Sequence, residues 1–267
     1  MAESLGPDGA AVWGQYSLEI GARSRWQIGP LSLWIRRAEA EWRVASLAGD
    51  DPLAMTVDYE AACSEPAPPQ ARRIRCAANS ESRTVTLSPA LADRPVVVRP
   101  EQPVTLQPGD AVVFYVGSQL WLRIDVGEPP RMLVELPTYR LSDTWFGPST
   151  RVGELCYASK TNARTVLAEV PGRPARALTR VRLRNRGRDN LVLERLKMPV
   201  GNLALYIGAD GHHWTSQLVV QRDEDGVAAE VHVDPSAPEE AGEVSLLAGP
   251  RIPTRGMFKR AMGALIS

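Results

Sequence analysis

Apolar and polar side chains alternate with a period of two along most of this chain, and sustained helical periodicity is nearly missing. Such alternation gathers the apolar side chains on one face only if the backbone is extended, because successive side chains of a strand point to opposite sides. Leu31–Arg37, Glu41–Leu47, Arg83–Leu87, Val96–Arg99, Val104–Leu106, Ala111–Val116 and Leu120–Val126 read as short strands. Turn chemistry separates them: Pro108-Gly109-Asp110, Gly117-Ser118, and Gly127 followed by Pro129-Pro130. Reversals at 106–110 and 116–120 predict a β-meander over residues 83–136. Ala177–Arg186, Leu191–Met198, Leu203–Ile207, Trp214–Gln221 and Val227–Val233 repeat the texture, with glycine- or asparagine-bearing turns between them.

The fold class expected is therefore all-β, as two packed β-sandwich-like halves over residues 12–136 and 137–250. One large sandwich is the architectural alternative. Gly49–Arg72, rich in Pro, Ala, Asp and Glu, reads as a surface loop with one helical turn near Tyr59–Cys63. Over 254–266, Met257, Phe258, Ala261, Met262, Leu265 and Ile266 recur at helical spacing beside Lys259 and Arg260, which predicts a short C-terminal amphipathic helix. Its apolar stripe, flanked by Arg251, Arg255, Lys259 and Arg260 with no acidic residue, suits an anionic membrane surface, a partner's groove or this protein's own sheet.

No stretch reaches the roughly 18 apolar residues of a membrane span. Met1–Ala11 has neither a basic region nor an apolar core, so no secretory signal is expected and the expected location is cytoplasmic. Cys63, Cys76 and Cys156 form no C-x-x-C pair, which argues against a disulfide framework or zinc ribbon. His212, His213 and His232 do not make a ligand set, and no residue pattern requires a metal or cofactor.

Net charge is zero but unevenly laid out. Gly172–Lys197 carries nine basic residues against Asp189 and Glu194, and Asp223–Glu243 carries eight acidic residues with no Lys or Arg. Within the basic block, Arg180, Arg182, Arg184 and Arg186 share one parity and so one face of a strand. That ladder suits phosphate groups or an acidic partner, or it pairs with the acidic block as a solvated face. Its lack of stacking aromatics argues against nucleic acid.

Pro137–Tyr157 is the densest stretch, with four aromatics, two arginines and a thiol among turn residues. Tyr139, Arg140, Thr144, Trp145, Phe146, Glu154, Tyr157 and, further along, Arg195 are its candidate ligand-binding residues; the competing reading makes Trp145 and Phe146 core plugs of a structural crossover. No catalytic motif is present. A carboxylate beside Cys156 would raise its pKa rather than activate it.

The motifs R-L-S-D-T-W-F-G at 140–147, G-E-L-C-Y at 153–157, L-E-R-L-K-M-P-V at 193–200, L-A-L-Y at 203–206, D-R-P-V-V-V-R-P at 93–100 and V-G-S-Q-L-W-L at 116–122 give the chain its resemblance to domain-of-unknown-function family 432, an uncharacterised archaeal and proteobacterial family. The resemblance spans most of Trp13–Arg222 and brings no activity, cofactor or catalytic residue. It implies a protein partner, a membrane channel of the small-conductance mechanosensitive kind, with peripheral membrane contact through the tail. The function expected is a non-enzymatic binding or regulatory one. The alternative is an enzyme with a site around Glu154, Cys156 and Tyr157.

Overall fold

A computed structural model describes residues 12–78, 82–147, 149, 151–225, 228–253 and 258–261. Strands dominate it, and the only helices among the described residues are three-residue 3-10 turns, so none is long and apolar enough to cross a membrane. The chain forms two compact units that interleave in sequence: Met1–Ala90, Gln119–Arg140 and Arg173–Ala175 in the first, Leu91–Ser118, Leu141–Gly172 and Arg176–Ser267 in the second. The boundary expected at 136/137 falls inside the middle segment of the first unit.

Two antiparallel sheets build the first unit. One runs in the order Gly14–Ser17, Thr84–Ala90, Trp121–Val126, Arg131–Pro137; the other runs Val57–Glu60, Arg23–Ile28, Leu31–Arg37, Glu41–Ala48, Arg72–Ala77. Trp26, Ile28, Leu33, Ile35, Trp42 and Val44 from the second sheet share one core with Val85, Leu87, Leu122, Ile124 and Leu136 from the first. Each large side chain buried there is worth roughly 1.5–3 kcal/mol, so this shared face is what holds the two sheets together. Tyr16 and Tyr59 close its edge against Trp26, with ring centroids 5.2 Å from Trp26 in both cases. Arg37 also lies on the core face and is fully buried; its guanidinium stacks 5.2 Å over Trp42 and donates to the carbonyls of Ser82 and Glu39 at 3.1 and 3.2 Å.

In the second unit an eight-stranded sheet is built on Arg176–Asn185, which pairs parallel with His213–Thr215 and Gln217–Arg222 and also takes Ala111–Gln119 as a neighbour. A four-stranded sheet runs Ser142–Phe146, Glu154–Thr161, Val96–Pro100, Leu196–Met198, and Val104–Leu106 pairs with Leu191–Leu193.

Three expectations are corrected. Residues 83–136 are strands but no meander: Thr84–Ala90, Val96–Pro100, Val104–Leu106 and Ala111–Gln119 belong to four different sheets. Alternation fixes a strand locally, whereas its partner is chosen by burial far along the chain. The loop over 49–72 contains a strand, Val57–Glu60, where a helical turn was expected, because its backbone pairs with the free edge of Arg23–Ile28. The C-terminal amphipathic helix is also replaced. Phe258–Ala261 is a strand that pairs antiparallel with Ala228–Asp234, from Val231 opposite Phe258 to Ala228 opposite Ala261. A helix of about thirteen residues containing Gly256 and Gly263 is marginal on its own, and an open sheet edge offers its backbone better partners. Met257, Met262, Leu265 and Ile266 lie outside the described residues.

Candidate functional site

The outer face of the five-stranded sheet gathers six arginines, Arg23, Arg25, Arg36, Arg43, Arg73 and Arg75. The alternation that sends Trp26, Leu33, Ile35, Trp42 and Val44 inward sends arginines outward on four of the five strands, while Val57–Glu60 places Asp58 opposite Gln27 and Glu60 opposite Arg25. Register then lines them up: Arg23 stands opposite Arg36, Arg36 opposite Arg43, and Arg43 opposite Arg75. The next row holds Arg25 opposite Trp34, Trp34 opposite Ala45, and Ala45 opposite Arg73. A cavity of about 330 Å³ sits on this face, lined by Arg23, Trp34, Arg36, Arg43, Arg73 and Arg75 together with Pro66 and Ala67.

Two of the arginines build the wall of that cavity. Arg73 donates to the main-chain carbonyls of Ala67, Pro68, Pro69 and Ala71 at 2.8–3.1 Å, and Arg23 donates to the carbonyl of Ser64 at 3.2 Å. The segment from Ser64 to Ala71 is thereby stapled across the sheet. One carboxylate balances the far end of the row: Glu41 accepts from Arg43 at 2.6 Å and from Arg75 at 2.7 Å, and these two bonds hold its pKa below the usual carboxylate range. The centre of the face is less well provided. The Nε atoms of Arg25 and Arg36 and the indole Nε1 of Trp34 are buried with no hydrogen-bond partner, and the Arg25 guanidinium lies 5.7 Å over the Trp34 ring. Like charges directly opposite on a sheet are destabilising, and a buried donor left unmade costs about 1–3 kcal/mol.

The residues expected to bind from the 137–157 stretch are divided. Tyr139, half-buried, and Arg140, exposed, belong to the first unit; Thr144, Trp145, Phe146, Glu154, Tyr157 and Arg195 belong to the second. There Thr144 stands opposite Cys156 and Phe146 opposite Glu154. Phe146 is a core residue, packed with Val97 and Cys156 under the Arg195 guanidinium at 5.5 Å, whereas Trp145 is 46% exposed and donates its Nε1 to the carbonyl of Ser149 at 2.9 Å. Expecting both as core plugs is right for Phe146 and wrong for Trp145, since adjacent strand residues face opposite ways. Glu154 is ion-paired with Lys197. Tyr157 donates its hydroxyl to Asp93 at 2.9 Å and lies under Arg94, which reaches Asp143 at 3.2 Å. Burial and the Glu154 charge push the Cys156 thiol up to about 11, so at neutral pH it is a protonated, fully buried group. That arrangement gives Cys156 no nucleophilic role.

Residues 12–266, which include all of these positions, match the family described as "Protein of unknown function (DUF432)". The chain belongs to this family. No curated protein and no solved structure matches it.

The arginine ladder of the second unit is partly engaged. Arg180 is bound by Glu240 at 2.8 Å and Gln217 at 3.1 Å, and Tyr115 donates to the same carboxylate at 2.9 Å. Arg182, Arg184 and Arg186 are exposed, the first two opposite Val219 and Gln221. Sequence reasoning sought like charges within one strand and so missed the face in the first unit, whose members lie on four strands. The signal available was the repeated R-x-R spacing at 23–25 and 73–75 beside Arg36 and Arg43.

Proposed function

We propose that the protein is a binding module whose site is the arginine face of the first unit, and that its ligand is a small anion. The observation that carries this reading is the cross-strand row Arg23–Arg36–Arg43–Arg75. Four guanidinium groups set side by side oppose folding, and Glu41 compensates only the last two. A phosphate, sulfate or carboxylate accepting from neighbouring forks would turn that repulsion into charge-assisted hydrogen bonds. The stapled segment from Ser64 to Ala71 gives the site a wall, as a small-molecule site needs.

Thermal melts of the full chain in sodium chloride and in sodium sulfate or phosphate of equal ionic strength test this. A ligand that binds only the folded state at a hundred times its Kd adds about 2.7 kcal/mol, a shift of several degrees. The Arg36→Thr variant is expected to melt slightly higher than the native chain in chloride, by about 0.2–1 kcal/mol for the relieved repulsion, and to lose most of the oxyanion shift. Equal oxyanion shifts in both proteins would assign the effect to general salting and remove the site.

A further inference from the structure

Resting on that reading, we infer that the ligand class is a condensed phosphate chain, of the diphosphate or triphosphate kind, recognised through its phosphates alone. The first argument is breadth. Adjacent strands lie about 4.8 Å apart, so a row across four of them spans about 14 Å, too wide for one orthophosphate to bridge. The second is charge. Five arginines line the cavity, Arg23, Arg36, Arg43, Arg73 and Arg75, and subtracting the one carboxylate bound to them, Glu41, leaves four positive charges. A triphosphate carries a matching charge near neutral pH, whereas an orthophosphate dianion offsets half of it.

The third argument is the set of donors. Trp34, only 7% exposed, and Arg36 both line the cavity, and the Nε1 of the one and the Nε of the other are buried without a hydrogen-bond partner. Small rotations that turn these groups to phosphate oxygens would recover the desolvation each now bears. The fourth argument separates the phosphates from anything attached to them. Trp34 is the single aromatic among the lining residues, and its ring is covered by Arg25. A nucleobase therefore finds no exposed ring face to stack on. Inorganic chains and the phosphate tail of a nucleotide present the same chemistry to this face, and the experiment below distinguishes them.

Calorimetric titration of the full chain with orthophosphate, pyrophosphate, tripolyphosphate and ATP, at one ionic strength and with chelator present, is the test. Affinity is expected to rise with each added phosphate, by about tenfold or more from orthophosphate to tripolyphosphate. ATP should fall within about threefold of tripolyphosphate, because its base adds no contact. Arg36→Ala should weaken tripolyphosphate by about tenfold, Trp34→Phe by several-fold, and Arg182→Ala in the other unit not at all. Equal affinities for orthophosphate and tripolyphosphate would overturn the chain-length inference while leaving the anion site in place. ATP binding about tenfold tighter than tripolyphosphate would overturn recognition by phosphates alone. No heat from any of the four, or heat indifferent to Arg36→Ala, would overturn the site itself, and the sulfate melts report that failure independently.

Discussion

Phe146 and Trp145 are neighbours in sequence and opposites in energy. Phe146 is 3% exposed and packs on Val97 and Cys156, so Phe146→Ala should lower stability by about 3–5 kcal/mol. Trp145→Ala deletes a larger ring from a half-exposed position and should cost about 1 kcal/mol or less. Urea melts of the two variants decide the orientation of the whole strand, since a reversed order would put Trp145 inside. His213 offers a second residue-scale test. Burial, with a smaller push from the charge of His212, lowers its pKa to about 4, against an ordinary value near 6.5. Between those values the unfolded chain takes up a proton that the folded one refuses, so stability falls as pH drops through 6.5 and the loss levels off near 4. At pH 4.5 the deficit from this group is roughly 2–3 kcal/mol, and His213→Gln should lose that much less than the native chain between pH 7 and 4.5. The burial of His213 was not legible in the sequence, and of the arginine row only the R-x-R spacings at 23–25 and 73–75 were. The alternation that gives a residue its face is local, but a row such as Arg23–Arg36–Arg43–Arg75 exists only once register has been set.

Strands were more legible than their pairings. Leu31–Arg37 and Val104–Leu106 form over the residues their alternation predicts, because a two-residue period and turn residues are contained within a few positions. The partner of Val104–Leu106 is Leu191–Leu193, and no short window of sequence carries that information. The tail shows the opposite error: a real helical period in Met257, Phe258, Met262, Leu265 and Ile266 gives way at Phe258–Ala261 to an available sheet edge. If that edge strand forms in solution, a chain ending at Pro253 should lose hydrogen-exchange protection at residues 228–231, and its melting midpoint should move only slightly. Unchanged exchange there would remove the strand. The dense 137–157 stretch contains a strand pair, Ser142–Phe146 against Glu154–Thr161, with Phe146 packed on Val97 and Cys156.

At the scale of the molecule, the two units are stitched through one another by chain crossings at 90/91, 118/119, 140/141, 172/173 and 175/176. A chain ending at residue 136 would keep Leu91–Ser118 without the strands it pairs with. It would also lose Ala175, whose carbonyl accepts from the Leu120 amide at 2.9 Å and the Thr138 hydroxyl at 3.5 Å. Neither that piece nor residues 137–267 is expected to give a cooperative calorimetric transition alone; a sharp melt of either would show that one half is self-sufficient. The same stitching has a consequence during synthesis. Val96–Pro100 lies between Glu154–Thr161 and Leu196–Met198 in its sheet, and Met198, the residue opposite Val96, leaves the ribosome roughly a hundred residues later. At ordinary translation speeds the triplet Val96-Val97-Val98 waits roughly 5–20 s for its second edge to be covered. A nascent chain of this protein therefore carries an uncharged, strand-forming segment in the open until it is three-quarters made, and its dependence on chaperones should be greatest in that interval.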